Sequence, residues 1–177
     1  MRFLKSLFGP SKLDQDAHTL YGLVINQSRQ PRFYQPPFSA PDSMEGRFEV
    51  IVLHLAICEF FLTGSEQTMP LRRAVQELLV KDMDRSLREL GIGDMSIGKQ
   101  MKKVGAGLIG RLQSYESAVD LEDEESTKNA VGGIIERNIE GSNAKSANEF
   151  ANYFWQQLHT VNAIDRSNWT VDKSIFG

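Results

Sequence analysis

The chain has 177 residues, of which 41% are hydrophobic and 24% charged, enough for one globular domain with a sizeable core. A formal net charge of −3 and a pI near 5.7 provide no global positive field, which argues against sequence-independent nucleic-acid binding over the whole surface. The single cysteine, Cys58, excludes an internal disulfide, and its apolar neighbours Leu55, Ala56, Ile57 and Phe60 predict a buried thiol.

Residues 1–12 form an N-terminal basic and apolar segment. Met1 to Gly9 carries Arg2 and Lys5 among Phe3, Leu4, Leu7 and Phe8, but it lacks the apolar core and small-residue cleavage site of a secretory signal, so no export is expected. It suits docking on the domain or contact with a membrane surface. A helical domain is expected over 13–160, followed by an irregular, loosely docked tail at 161–177. Ala17, Leu20, Tyr21, Val24 and Ile25 recur at helical spacing and predict a first helix from Asp14 to Ser28. Pro31, Pro36, Pro37 and Pro41 then forbid regular helix and leave a long loop bearing Phe33, Tyr34 and Phe38.

Asp42 or Ser43 can cap a second helix, with Glu45 in its first turn and Gly64 and Ser65 at its end. Its run from Val50 to Leu62 is shorter than a bilayer span requires and contains His54 and Glu59, which predicts a core helix. A third helix begins near Pro70 and stops before Gly91 and Gly93, with Leu71, Val75, Leu78, Leu79, Met83, Leu87 and Leu90 along one face. Ile97, Met101, Val104, Leu108, Leu112 and Tyr115 form the next stripe, crossed by Gly105, Gly107 and Gly110. Asp120, Glu122, Asp123, Glu124 and Glu125 mark a solvated connection or helix start, and two further helices are expected over Ser126–Ile139 and Ser142–Thr160, the latter burying Phe150, Phe154, Trp155 and Leu158. With no period-two pattern and no fixed repeat, the fold class is all-α, a single bundle-like domain of about five to seven helices with a proline-rich aromatic loop.

Catalytic motifs are missing. His18, His54 and His159 are scattered, Cys58 has no partner at metal-ligand spacing, and Gly91-Ile92-Gly93 follows no strand, so neither a metal nor a dinucleotide is expected there. No nucleophile elbow is recognisable, and the chain reads as a non-enzyme without a cofactor.

Three ordered stretches carry a resemblance: Gly46-Arg47-Phe48-Glu49 leading into Leu53-His54-Leu55; Lys81-Asp82-Met83-Asp84-Arg85-Ser86-Leu87-Arg88-Glu89-Leu90-Gly91-Ile92-Gly93-Asp94; and Gly98-Lys99-Gln100-Met101-Lys102-Lys103. Leu20-Tyr21-Gly22, Arg29-Gln30-Pro31 with Phe33-Tyr34, and Gly110-Arg111 through Tyr115 extend it. Over about Leu20 to Val119 the chain resembles the ubiquinol–cytochrome c chaperone family. Glu45 departs from the aspartate expected before Arg47, and little is recognisable after Asp120. The resemblance implies a helical, cofactor-free assembly chaperone for ubiquinol–cytochrome c reductase with newly made cytochrome b as client. In mitochondrial relatives it implies a small partner protein near the ribosomal tunnel exit. Without an evident transit peptide the chain resembles the bacterial, cytoplasmic form, with the ribosome surface or the inner face of the membrane as further contacts.

Candidate contact residues follow from the same stretches. Phe33, Tyr34 and Phe38 suit an apolar client or, equally, the inside of the loop. Phe48 and His54 lie in a strongly apolar helix and suit the core as well as a partner. In the cluster Asp82, Asp84, Arg85, Arg88 and Glu89, Asp84 to Arg88 and Arg85 to Glu89 can form surface ion pairs at four-residue spacing, or some of these charges can face Asp94, Lys99 or His54 and fix a partner-facing patch; Arg47 is a further candidate contact. Lys99, Lys102 and Lys103, with Arg111, form a basic stretch suited to RNA, anionic lipid or an acidic protein, or simply to a solvated face. Two other function classes remain open at this point: a helical small-molecule or lipid-binding protein, and a nucleic-acid-binding regulator built on a helix, a glycine turn and a basic helix, although no specific DNA is expected.

Overall fold

The computed structural model describes residues 10–63, 66–121, 123–166, 169–171 and 175–176. Met1 to Gly9, the helix stop at Gly64 and Ser65, and Glu122 lie outside the described residues. Six α-helices and no strands are present among them: α1 Lys12–Ser28, α2 Met44–Leu62, α3 Met69–Glu89, α4 Asp94–Val119, α5 Glu124–Asn138 and α6 Ala144–Asn162, with short 3₁₀ turns at Pro31–Tyr34 and Glu66–Thr68.

Local chemistry sets the ends. The first helix begins two residues before Asp14 because Ser11 caps it: the Ser11 hydroxyl accepts from the Asp14 amide at 3.1 Å and Asp14 answers from the third position. Ser43, not Asp42, caps α2 by accepting from the Gly46 amide at 3.1 Å. Gly46 is required there, since a Cβ would run into the Pro41 carbonyl oxygen. Asp123 caps α5, and Gly91, at a φ of 81°, terminates the turn after α3. Gly105, Gly107 and Gly110 do not interrupt α4. Leu90, expected on the buried stripe, is instead 66% exposed, because α3 ends at Glu89 and Leu90 sits outside the last turn.

The helix α2 is the axis of the bundle. Val50, Val52, Leu53 and Ile57 are fully enclosed, and α2 packs against α1, α4 and α6, while α1 lies on α3 and α5 on α6. No described helix is long and apolar enough to cross a membrane. Cys58 is enclosed as well, and burial pushes its thiol pKa up, which suppresses the reactive thiolate. In α6, Phe150, Phe154 and Leu158 are buried, whereas Trp155 is only half-buried. The first two tail residues, Val161 and Asn162, continue α6; the described residues beyond them have no regular structure, yet they are not loose: Ile175 is buried, Trp169 packs edge-on to Phe61 and Phe176 to His54.

One polar group lies at the centre. His54 Nδ1 is 2.7 Å from the Val50 carbonyl and Nε2 is 2.8 Å from the Tyr153 hydroxyl. A carbonyl only accepts, so Nδ1 carries the proton and the Tyr153 hydroxyl donates to Nε2, which fixes the neutral tautomer. Burial holds this imidazole down at about 4 from its ordinary 6.5. Below pH 6.5 the unfolded chain protonates His54 and the folded chain does not. Its contribution is therefore complete above pH 6.5 and is lost as pH falls toward 4, by about 3 kcal/mol in total. Urea unfolding at stepped pH should show this component in the natural chain and lose it in His54→Gln. Equal acid sensitivity of the two would contradict the assignment.

Candidate functional site

The proline-rich loop is folded inward. Phe33 is fully buried, with its ring 4.9 Å from His54, 5.2 Å from Phe38 and 5.1 Å from Tyr153 between centroids, and Phe38 in turn meets Phe150 at 4.9 Å. These offset and edge-on contacts make the loop part of the core rather than a free arm. Phe33 and His54 consequently present no surface to a partner in this conformation, and Phe38 is half-covered. Phe48 is also half-buried, under the Arg111 guanidinium at 5.5 Å. Tyr34 faces the other way. Its hydroxyl donates to the Ser28 carbonyl at 2.9 Å, and its ring lines an open groove.

That groove, of about 350 Å³, lies between the loop, the start of α2 and the end of α3. Met44, Ile51, Met83 and Leu90 supply its apolar surface, and Arg29, Asp42, Arg47, Asp82 and Glu89 its polar rim. A second depression continues it past Pro31 and Gln35 and shares Arg29, Tyr34, Asp42 and Arg47. Of the residues expected to bind a partner, Tyr34, Arg47 and Asp82 meet here.

Three of the rim charges, Asp42, Arg47 and Asp82, are held by neighbours. Arg47 Nε bonds Asp42 at 2.6 Å, and that guanidinium keeps the Asp42 carboxyl below the usual carboxylate range. Asp82 accepts from the Tyr21 hydroxyl of α1 at 3.0 Å and from Arg85. Arg85 therefore pairs with Asp82 three residues before it and not with Glu89 four after it, because Tyr21 already fixes the carboxylate of the half-buried Asp82. Burial and the Asp82 charge both push the Tyr21 hydroxyl pKa up, so it remains a donor. Arg88 bonds Asp84 at 2.8 Å and reaches Asp94 at 2.7 Å, tying the end of α3 to the start of α4.

The basic stretch divides. Arg111 is turned inward to Glu49, with Nε–Oε2 2.6 Å and Nη2–Oε1 2.5 Å, a two-pronged ion pair between α4 and α2. Burial raises the Glu49 carboxyl above its ordinary value, and the Arg111 bonds pull it back. Lys99, Lys102 and Lys103 stay exposed on α4 and do not line the groove. Among the described residues, no three His, Cys, Asp or Glu side chains are placed to hold a metal ion.

Besides Asp42, Ser43 and Glu89, read from sequence only as caps or an ion-pair partner, the groove residues that the sequence reading did not single out as contacts are Arg29, Met44, Ile51, Met83, Ser86 and Leu90. Their types gave a partial signal: two methionines and an arginine within or beside the resembling stretches suit an adaptable apolar contact. Their convergence needed the fold.

The family model for "Ubiquinol-cytochrome C chaperone" matches residues 37–176. The chain belongs to this chaperone family. The match passes through α5 and α6, where the sequence reading recognised little, and starts after the Pro31–Tyr34 turn. A solved structure, "Crystal structure of the Cbp3 homolog from Brucella abortus", superposes with a TM-score of 0.79 at 28% identity, covering 94% of this chain and 91% of that one. No curated protein matches the sequence. As a chaperone, the chain acts on a client protein.

Truncating one side of the Glu49–Arg111 pair strands a buried charge, so Arg111→Met should destabilise the chain by about 3 kcal/mol, and adding Glu49→Met should restore most of the loss. Urea unfolding of both single variants and the double variant checks this. Additive losses would show that the two groups act independently.

Proposed function

We propose that this chaperone binds newly made cytochrome b and promotes its assembly into ubiquinol–cytochrome c reductase, and that the groove beside Tyr34 receives an apolar segment of the client. The observation that carries the reading is the combination of Met44, Met83, Ile51 and Leu90 in one open trough with ion-paired charges around it. Methionine's unbranched thioether adapts to varied side chains, as a chaperone for transmembrane sequence requires. A helix with its side chains is about 10–12 Å across, so a trough of this size takes one face of a helix rather than a whole helix. The rim keeps the empty groove compatible with water, and Asp42, Arg47 and Asp82 on it are already paired. A passing segment therefore need not strip ions of their partners.

The role requires no reaction, so the reading is of a non-enzyme working without a cofactor. It places the chain on the cytoplasmic side of the membrane where cytochrome b is inserted, with the ribosome surface and a small partner protein as further contacts.

Leu90 is the informative position because it is 66% exposed and can change without opening the core. In a crosslinking pull-down from cells synthesising the reductase, the natural chain should enrich cytochrome b. Leu90→Asp should lower that capture about tenfold, in keeping with the loss of one buried leucine contact, while its unfolding transition stays unchanged. Undiminished capture by Leu90→Asp would remove the groove from the account, and absence of cytochrome b from the natural pull-down would remove the client.

A further inference from the structure

Charge is unevenly distributed along α4. Between Met95 and Tyr115 there is no aspartate or glutamate, although the chain as a whole carries a formal charge of −3. Arg111, the one arginine in that stretch, is spent on Glu49. Lys99, Lys102 and Lys103 are exposed, and no carboxylate of the described residues forms an ion pair with them. At 100° per residue these lysines share an arc of about 120° with Met95, Ala106 and Ile109. Met95 is 101% exposed and Ile109 60%, and about 21 Å of helix separates them at 1.5 Å per residue.

We propose that this outer face of α4 rests on the surface of an anionic lipid bilayer. The lysine ammonium groups would meet lipid phosphates, with their aliphatic stems lying along the helix. Met95 and Ile109 would enter the boundary between headgroups and acyl chains. The apolar pair decides between lipid and RNA, which offers the same phosphates. An RNA backbone would satisfy the lysines but leave Met95 and Ile109 in water, and the arc holds no aromatic or arginine side chain on which a base could stack. The contact is peripheral and reversible, since three lysines and two apolar side chains fall far short of a spanning helix.

The placement also bears on the groove. Leu90 at its lip and Met95 at the start of the lipid-facing arc are separated by no more than about 18 Å of chain. Arg88 braces that turn through Asp84 and Asp94. A chain lying on α4 would thus hold the groove beside the bilayer, which is where the client proposed above enters; that consequence rests on the client reading, whereas the lipid contact itself does not.

The test is flotation of the full chain with phosphatidylcholine vesicles with and without phosphatidylglycerol, and separately its retention on ribosomal RNA. The natural chain should float with the phosphatidylglycerol vesicles alone and be released by added salt. Each Lys→Gln change should weaken partitioning about fivefold, and Lys99→Gln/Lys102→Gln/Lys103→Gln together about a hundredfold. Met95→Ser/Ile109→Ser should weaken it with every charge retained. All these positions are exposed, so unchanged circular dichroism and melting would verify that the variants fold. Equal partitioning of the natural chain and the triple variant, no flotation of the natural chain, or lysine-dependent retention on RNA without flotation would each overturn the proposal. Capture of cytochrome b by the groove would be unaffected by such a failure, so the two readings separate.

Discussion

The neutral imidazole of His54 is the contact from which the rest of the architecture is organised. It accepts from the Tyr153 hydroxyl of α6, donates to its own helix at Val50, and lies under the Phe33 ring of the loop. Tyr153 also accepts from the Gln27 amide of α1 at 3.1 Å, so α1, α2, α6 and the loop meet within one aromatic and hydrogen-bonded cluster. Both ring nitrogens of His54 have a partner, which is the condition under which buried polarity is tolerated in a dry interior. The charge at the cluster's edge, the exposed Arg32 guanidinium, lies over the Phe33 and Tyr153 rings at 4.9 and 5.1 Å. With Phe33 and Phe38 held inside, the backbone of the loop is fixed, and Tyr34 is left on the outer side as a wall of the groove.

The groove depends on this anchoring in a second way. Its opposite wall is the end of α3, which α1 supports directly through Tyr21 and Asp82. One wall is therefore set by the core cluster and the other by a hydrogen bond at the rim, with the apolar floor between them supplied by the first two turns of α2 and by Met83. A trough with rigid walls and methionine in its lining combines a defined position with tolerance of sequence, two properties that a chaperone for varied apolar segments must have together.

Much of the fold was legible because helical periodicity is a local property. The stripes of α3 and α4, the proline loop and the core character of α2 all follow from residues within a few turns of each other. Ends were less legible. Ser11 and Asn143 cap α1 and α6 through contacts spanning two or three residues, and the apolar stripe alone does not register them. Site residues depended on which side of an element faced inward. Phe33 and Tyr34 are adjacent in a 3₁₀ turn, yet one is enclosed and the other lines the groove, a division that spacing does not contain. Arg111 and Lys99 looked alike as members of one basic stretch until Glu49, remote in sequence, claimed the former. Leu90 continued an apolar stripe by spacing and left it by position, because the helix had already ended.

The central claim is that the client lies in the groove between the Pro31–Tyr34 turn, α2 and α3. Its most direct test places a photo-crosslinking residue at Met44, at Leu90, or at the exposed Glu136 of α5, in cells synthesising cytochrome b. Adducts with cytochrome b from positions 44 and 90, and none above background from position 136, are the predicted result. Adducts from position 136 with none from the groove would contradict the account.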